Sequence, residues 1–169
     1  MIKYIDRLET IKRFKDEHAR LKKLVSELST EQVLKPNTLG AWSIKDIVAH
    51  LAAWNWEVIA EVDRVLQNKA TWLVRYEEKK GEDEFNEKEV EKRRHMSWQE
   101  VIKDWDDSFW KQIERMKTLS EDEWKHQSGN QLWSDGTPVT VYSLFAYKYE
   151  GAGHEGGHAK QLEQVTKSL

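Results

Sequence analysis

Two histidines near the C-terminal end of the sequence have a spacing that suits a shared metal ion. Residues 154–158 read H-E-G-G-H, so the two imidazoles are four residues apart. On a helix such residues lie on one face, roughly 6 Å apart along the axis. The same pattern, H-E-x-x-H, is found in zinc proteases. That interpretation fails on its context, because only Glu163 could follow His158 as a third ligand and no strand-rich region precedes the motif.

Both histidines fall on the apolar face of a predicted fourth helix, which runs from Val139 or Thr140 to Val165. The positions on this face are Leu144, Tyr147, Gly151, His154, His158, Leu162 and Val165. A buried polar side chain costs a few kcal/mol unless a partner satisfies it. Two of them in adjacent turns predict a shared partner, and a metal ion is the simplest one.

A third imidazole is available from a predicted second helix. His50 is next to Leu51 and shares a helix face with Ile47 and Trp54, so we expect it to point into the same interior. Three neutral imidazoles with an open fourth position are typical of a catalytic metal site. The sequence therefore predicts a metal bound by His50, His154 and His158.

Further candidate site residues surround these three. Glu155 is next to a predicted ligand and could act as general base toward a metal-activated water, although such a residue often points outward. His18 lies on the apolar stripe of the first helix, where it lines a pocket or belongs to the core. The remaining predicted pocket residues are Trp54, Tyr147 and Gly151. The nine tryptophans serve either as core residues or as walls for an apolar ligand.

The periodicity of apolar residues predicts an all-α protein, a four-helix bundle with a long crossover between helices two and three. We expect residues 1–169 to form a single domain. The first helix is predicted over 4–28, the second from an N-cap at Ser43 to about Asn68, and the third from an N-cap at Ser97.

The connections between these helices are also informative. Residues 28–33 (L-S-T-E-Q-V) and 119–124 (L-S-E-D-E-W) resemble each other and suggest two matching helix-plus-turn units. The crossover, 69–96, is rich in alternating charges and poor in apolar residues. We expect it to be mostly solvated, with one helical turn near 87–94, and to be dispensable for folding.

Composition limits the classes of function. With 27 basic and 30 acidic residues the net charge is −3, and only Lys92-Arg93-Arg94-His95 forms a basic cluster, so we expect no nucleic-acid partner. The absence of cysteine excludes thiolate ligands. No apolar segment approaches the roughly 18 residues of a membrane span, so we expect no membrane partner and a cytoplasmic location.

Two motifs resemble a known family. Residues 42–51, W-S-I-K-D-I-V-A-H-L, followed by Trp54, are similar to the start of helix two in the DinB/YfiT-like superfamily of metalloenzymes. His154-x-x-x-His158 followed by Ala159-Lys160-Gln161-Leu162 is similar to the signature of that superfamily's last helix. The resemblance implies zinc or nickel bound by His50, His154 and His158. The glycine-rich stretch 151–157 departs from the common pattern.

The resemblance leaves several functions open. Members of this superfamily include thiol-dependent transferases, an isomerase and a branch that opens a genotoxin's cyclopropane. The first hypothesis is therefore a metal-dependent enzyme on a small-molecule substrate, of thiol transferase or hydrolase type, with a low-molecular-weight thiol as candidate cofactor. The second is a non-catalytic bundle that binds a small ligand or serves in a stress response, with the metal as anchor or absent. The third is a structural homodimer whose metal only joins helices two and four.

Overall fold

The computed structural model describes residues 3–69 and 79–166, which fold mainly into helices. The helices are α1 (Arg7–Ser26), α2 (Thr30–Leu34), α3 (Ile44–Leu66), α4 (Lys79–Arg93), α5 (Trp98–Thr118), α6 (Glu121–Lys125) and α7 (His154–Thr166). Between α6 and α7 lie strands β1 (Gln127–Leu132) and β2 (Pro138–Thr140) and a 3-10 helix, Tyr142–Phe145. The predicted all-α fold class is confirmed, with a small hairpin added.

The long helices pack as a bundle around two apolar clusters. Helix α3 packs against α5, and α1 packs against α7. One cluster centres on Leu21, Val48 and Trp105 and also includes Leu162 of α7. The other lies toward the hairpin and contains Phe109 with further aromatic and aliphatic residues. Through Leu162 the first cluster holds α7 in the bundle against α1 and α3.

The predicted helix starts are confirmed in detail. Ser43 caps α3 and Ser97 caps α5, and each forms a full capping box with the acidic residue three positions on, Asp46 and Glu100 respectively. In such a box the serine oxygen accepts from one free backbone N–H and the carboxylate from another. The start of α3 is thereby fixed, and with it the direction in which His50 points.

The two similar segments form matching short helices. Helix α2 begins with a capping box at Ser29 and α6 with one at Ser120. Each helix has five residues and buries one apolar side chain completely, Val33 in α2 and Trp124 in α6. The resemblance between the two segments therefore reflects a shared local structure.

The crossover is more structured than predicted. Its residues 70–78 lie outside the described part, but residues 79–93 form a helix of four turns rather than one. Helix α4 packs on α3: Val90 is fully buried, and the indole N–H of Trp54 donates to Asn86 Oδ1 at 2.8 Å. The expectation of a single helical turn is therefore wrong, whereas most side chains of α4 are at least partly exposed as predicted and a few well-placed ones attach the helix to α3.

The predicted start of the last helix is also wrong. Helix α7 begins at His154, about fourteen residues later than the sequence periodicity suggested. The backbone at Glu150 (φ 51°) and Gly151 (φ 73°) is left-handed, which ends any continuous helix at that point. The apolar spacing of Leu144, Tyr147 and Gly151 matched a helix only by coincidence.

Candidate metal centre

The three predicted ligands lie together in the bundle. Helix α3 presents His50, and the first two turns of α7 present His154 and His158. One ring nitrogen from each lies within 4.8 Å of the others, and Nε2 of His50 is 2.9 Å from Nε2 of His154. Two nitrogen ligands of a tetrahedral zinc ion lie about 3.3 Å apart. The rings are therefore close to the positions that a shared metal requires.

Burial keeps these imidazoles neutral. It lowers the pKa of His50 to about 3, with the proximity of His158 as a second cause. It lowers the pKa of His158 to about 4. The pKa of His154 also falls well below its ordinary value, through burial and the two neighbouring rings. Metal ions bind the neutral form, so no proton has to be removed from the site at pH 7.

A side-chain relay orients the ring of His158. Its Nδ1 lies 2.9 Å from Oε1 of Gln161, and Nε2 of Gln161 donates to the hydroxyl of Tyr149. An amide oxygen only accepts, so Nδ1 of His158 carries the proton and Nε2 keeps the free lone pair. Partners of this kind fix the tautomer of metal-binding histidines. Tyr149 also packs on the ring of His158, with centroids 4.9 Å apart.

Glycines allow two other segments to approach α7. A Cβ at Gly157 would lie 2.6 Å from the carbonyl oxygen of Tyr149. A Cβ at Gly156 would lie 2.7 Å from the carboxyl carbon of Glu17, whose Oε1 accepts from the N–H of Gly153 at 2.8 Å. The departure from the family pattern at 151–157 therefore has a packing reason, since these glycines admit Tyr149 on one side of the helix and Glu17 on the other.

Glu155 belongs to a second polar cluster. It is 7% exposed; its Oε1 accepts from the indole N–H of Trp105 at 2.8 Å, and its Oε2 lies 2.8 Å from Nδ1 of His18. On its other side His18 reaches Asp106, with Nε2 3.1 Å from Oδ1. Both carboxylate oxygens of Glu155 thus have partners inside the bundle. Its role as general base stays a prediction.

A cavity of about 420 Å³ adjoins the triad. His154 and Glu155 line it, as do Trp54 and Tyr147 from the predicted pocket. The other two predicted pocket residues are elsewhere. His18 lies behind Glu155, stacked on Phe109 with centroids 3.7 Å apart. Gly151 is in the turn before α7.

Several residues of this region were not assigned a role from the sequence. Gln161 is part of the quoted motif, and its spacing of three from His158 is a signal that could have identified it as a partner. Tyr149, Glu17 and the cavity residue Gln112 offered no such local signal, because each reaches the region through the fold rather than through its neighbours in sequence.

The comparison with family models decides the family. The model of the DinB superfamily matches residues 13–162, nearly the whole chain. The chain belongs to the DinB superfamily. The predicted resemblance is confirmed, and the histidine triad is a group that could bind a metal. No curated protein matches the chain significantly in sequence.

Two solved structures share the fold of this DinB protein. The colibactin self-resistance protein ClbS, crystallised in complex with double-stranded DNA, is 15% identical, with 96% of each chain covered and a TM-score of 0.70. The mycothiol-dependent maleylpyruvate isomerase is 13% identical, with 94% of this chain and 61% of the isomerase covered and a TM-score of 0.68. At these identities the likeness shows the fold alone.

These structures correct one expectation about partners. We predicted no nucleic-acid partner from the charge balance, yet a protein of this fold was crystallised with double-stranded DNA. The prediction is contradicted, because a nearly balanced net charge with a single short basic cluster does not exclude nucleic acid for this fold. As to membranes, the helices of the described residues include none with the length and apolar character to cross one.

Proposed function

We propose that this DinB protein is a metal-dependent enzyme that acts on a small molecule, with zinc or nickel bound by His50, His154 and His158. The observation that supports this most directly is the donor set. Three neutral, inward-facing imidazoles converge, and among residues 3–69 and 79–166 no fourth such ligand joins them. Three protein ligands leave a coordination position open, as in catalytic rather than structural zinc sites.

The cavity lies next to this open position and can hold a second reactant. His154 belongs both to the triad and to the cavity wall, so a molecule in the cavity lies beside the site. When bound, the metal supplies Lewis acidity, which makes a water or a thiol a better nucleophile at neutral pH. Trp54 and Tyr147 hold the other reactant against the site and limit the access of bulk water.

Thiol transfer and hydrolysis are the two finer alternatives. A thiol cosubstrate is supported by the likeness in fold to a mycothiol-dependent isomerase. Hydrolysis would gain from a base near the metal-activated water, and both oxygens of Glu155, the predicted base, already have partners. We therefore favour thiol transfer within this proposal.

The proposal is tested by asking whether a reaction of the protein depends on bound metal. Protein freed of metal and protein reloaded with zinc or nickel are assayed with a panel of low-molecular-weight thiols and electrophiles, and with ester substrates. The His154→Ala variant is the test variant, and the exposed His95→Ala variant is its control. We expect activity only in the metal-loaded protein and in the control. Full activity of metal-free protein or of His154→Ala would overturn the proposal.

A non-catalytic binding protein is the second candidate. The carboxylate of Glu155 favours it, since both oxygens of this predicted general base already have partners inside the bundle. Binding without turnover in the same panel, with double-stranded DNA included because a protein of this fold was crystallised with it, would support this function instead.

A further inference from the structure

The carboxylates that line the cavity give its wall a negative charge. Three carboxylate side chains, those of Glu17, Glu82 and Glu155, line it. Among the described residues no lysine or arginine does so. A region with acidic walls and little solvent repels anions and favours neutral or positively charged molecules.

Gln112 supplies an unsatisfied group in the same wall. The residue is 4% exposed and lines the cavity, and its Oε1 is buried without a hydrogen-bond partner. A buried polar atom without a partner is costly, and such atoms are rare in folded proteins. An occupant with an N–H group would satisfy it.

Glu17 provides a negative charge that a cationic occupant would neutralise. The side chain is half-buried, and within the described residues it forms no ion pair. Its hydrogen bond from the N–H of Gly153 uses only Oε1. Glu155 differs, because His18 already lies 2.8 Å from its Oε2. Glu17 is therefore the carboxylate best suited to a cationic group.

The rest of the cavity is apolar and aromatic. Its six aromatic side chains come from α1, α3, α5 and residues 133–147; they are Phe14, Trp54, Phe109, Trp133, Phe145 and Tyr147. A volume of about 420 Å³ accommodates a one- or two-ring molecule. Aromatic walls bind flat apolar bodies and also attract cations.

We propose that the cavity binds an arylalkylamine, that is, a compact apolar ring system that carries a protonated amino group on a short alkyl chain. The rings lie among the aromatic side chains, the ammonium group faces Glu17, and an N–H group donates to Gln112 Oε1. This inference rests on the proposed function, for which it names the substrate class of the same cavity. It also makes a carboxylate-rich molecule the least suitable occupant.

The test compares three indoles that differ mainly in charge. Tryptamine is cationic, indole-3-acetamide is neutral and indole-3-acetate is anionic. Each is titrated calorimetrically into the full chain, with and without zinc, at about pH 7.5 and low salt. We expect tryptamine to bind about tenfold more tightly than indole-3-acetate, since hydrogen bonds to charged groups are the stronger ones. Equal or tighter binding of the acetate, or no binding of any indole, would overturn the proposal.

Two variants assign the contacts. Glu17→Gln keeps the acceptor for Gly153 and removes the charge, so it should weaken tryptamine about tenfold and leave indole-3-acetamide unchanged. Gln112→Leu should weaken the binding of tryptamine and of indole-3-acetamide severalfold, because it removes the acceptor for the indole N–H that all three compounds carry. The exposed Glu9→Gln on α1 and Gln99→Leu on α5 are the matched controls and should change nothing. Unchanged tryptamine binding in Glu17→Gln would contradict the assignment.

The outcome is separable from that of the proposed function. The titrations without zinc measure the preference for amines directly, whereas the proposed function depends on metal binding and turnover. An amine preference in a protein that binds no metal would overturn the enzyme proposal and leave the binding of amines in this cavity standing. A metal-dependent enzyme that prefers the anionic indole would support the enzyme proposal and overturn the preference for amines.

Discussion

Nδ1 of His158 lies 2.9 Å from Oε1 of Gln161, three residues further along the same helix. This contact decides which nitrogen of His158 is free, because the amide oxygen accepts the Nδ1 proton and leaves the lone pair on Nε2. Gln161 in turn donates to the hydroxyl of Tyr149. The ring of His158 is thus set by two residues that do not themselves belong to the triad.

We expect Gln161→Leu to weaken zinc binding about 10- to 100-fold, since removing such an orienting partner typically costs that much. The fold should survive, because Gln161 is only partly buried. Competition with a chromophoric chelator measures the affinity. Gln164→Leu, an exposed position on the same helix, is the control and should bind zinc normally. Equal affinities of the two variants would show that the contact does not support metal binding.

The lowered histidine pKa values predict a pH-dependent stability for the metal-free protein. The pKa of His50 is about 3 and that of His158 about 4 in the fold, against about 6.5 in an unfolded chain. Between about pH 6.5 and pH 4 the unfolded chain takes up protons that the folded rings do not. Stability therefore falls as the pH falls, by about 1.4 kcal/mol per pH unit for each such histidine.

Urea unfolding of metal-free protein at about pH 7.5, 6 and 5 measures this slope. His158→Ala should reduce it by the share of one histidine, whereas the exposed His95→Ala should leave it nearly unchanged. If His158→Ala and the unaltered protein show the same slope, His158 takes up its proton over the same pH range in the folded and the unfolded chain, and the lowered pKa of His158 is wrong.

Gly157→Ala should destabilise the protein by about 1–3 kcal/mol, as expected when a methyl group is forced into a packed region. The new Cβ would lie 2.6 Å from the carbonyl oxygen of Tyr149, a backbone atom that cannot rotate away. The better helix propensity of alanine, about 1 kcal/mol, offsets only part of this. Thermal or chemical unfolding measures the change, with Gln164→Ala as control. A more stable Gly157→Ala variant would contradict the packing described for Tyr149.

Much of the fold was predictable because its determinants are local. Serine caps at Ser43 and Ser97 define where two helices begin, and apolar periodicity defines which face of α3 is buried. His50 lies on that face, and His154 and His158 are one turn apart. The convergence of the three rings could therefore be predicted without knowledge of the tertiary structure.

The remainder depends on contacts between distant residues. The start of α7 is set by left-handed backbone at Glu150 and Gly151, and by the capping of Gly153 by Glu17, 136 positions away. Nothing near residue 140 in the sequence indicates this. Likewise the low apolar content of α4 hid its attachment to α3, which rests on Asn86 and Val90.

The attachment of α4 to α3 predicts that this helix contributes to stability, whereas the sequence suggested that the crossover is dispensable for folding. Val90 is fully buried, so Val90→Ala should lower the free energy of unfolding by about 1–3 kcal/mol through lost burial and the cavity left behind. Lys88→Ala, at an exposed position of the same helix, should change it by less than about 0.5 kcal/mol. Urea unfolding compares the two. Equal stabilities would mean that Val90 does not help to attach α4 to the bundle.

The metal content of the purified chain tests the central claim most directly. Protein is loaded with zinc or nickel, dialysed, and analysed by mass spectrometry for metal per chain. We predict one ion per chain for the unaltered protein and for His95→Ala. For His50→Ala, His154→Ala and His158→Ala we predict less than about a tenth of an ion per chain after dialysis, because each variant lacks one of the three ligands, while circular dichroism still shows a helical fold. Retention of the ion by these three variants, or no ion in the unaltered protein, would contradict the account.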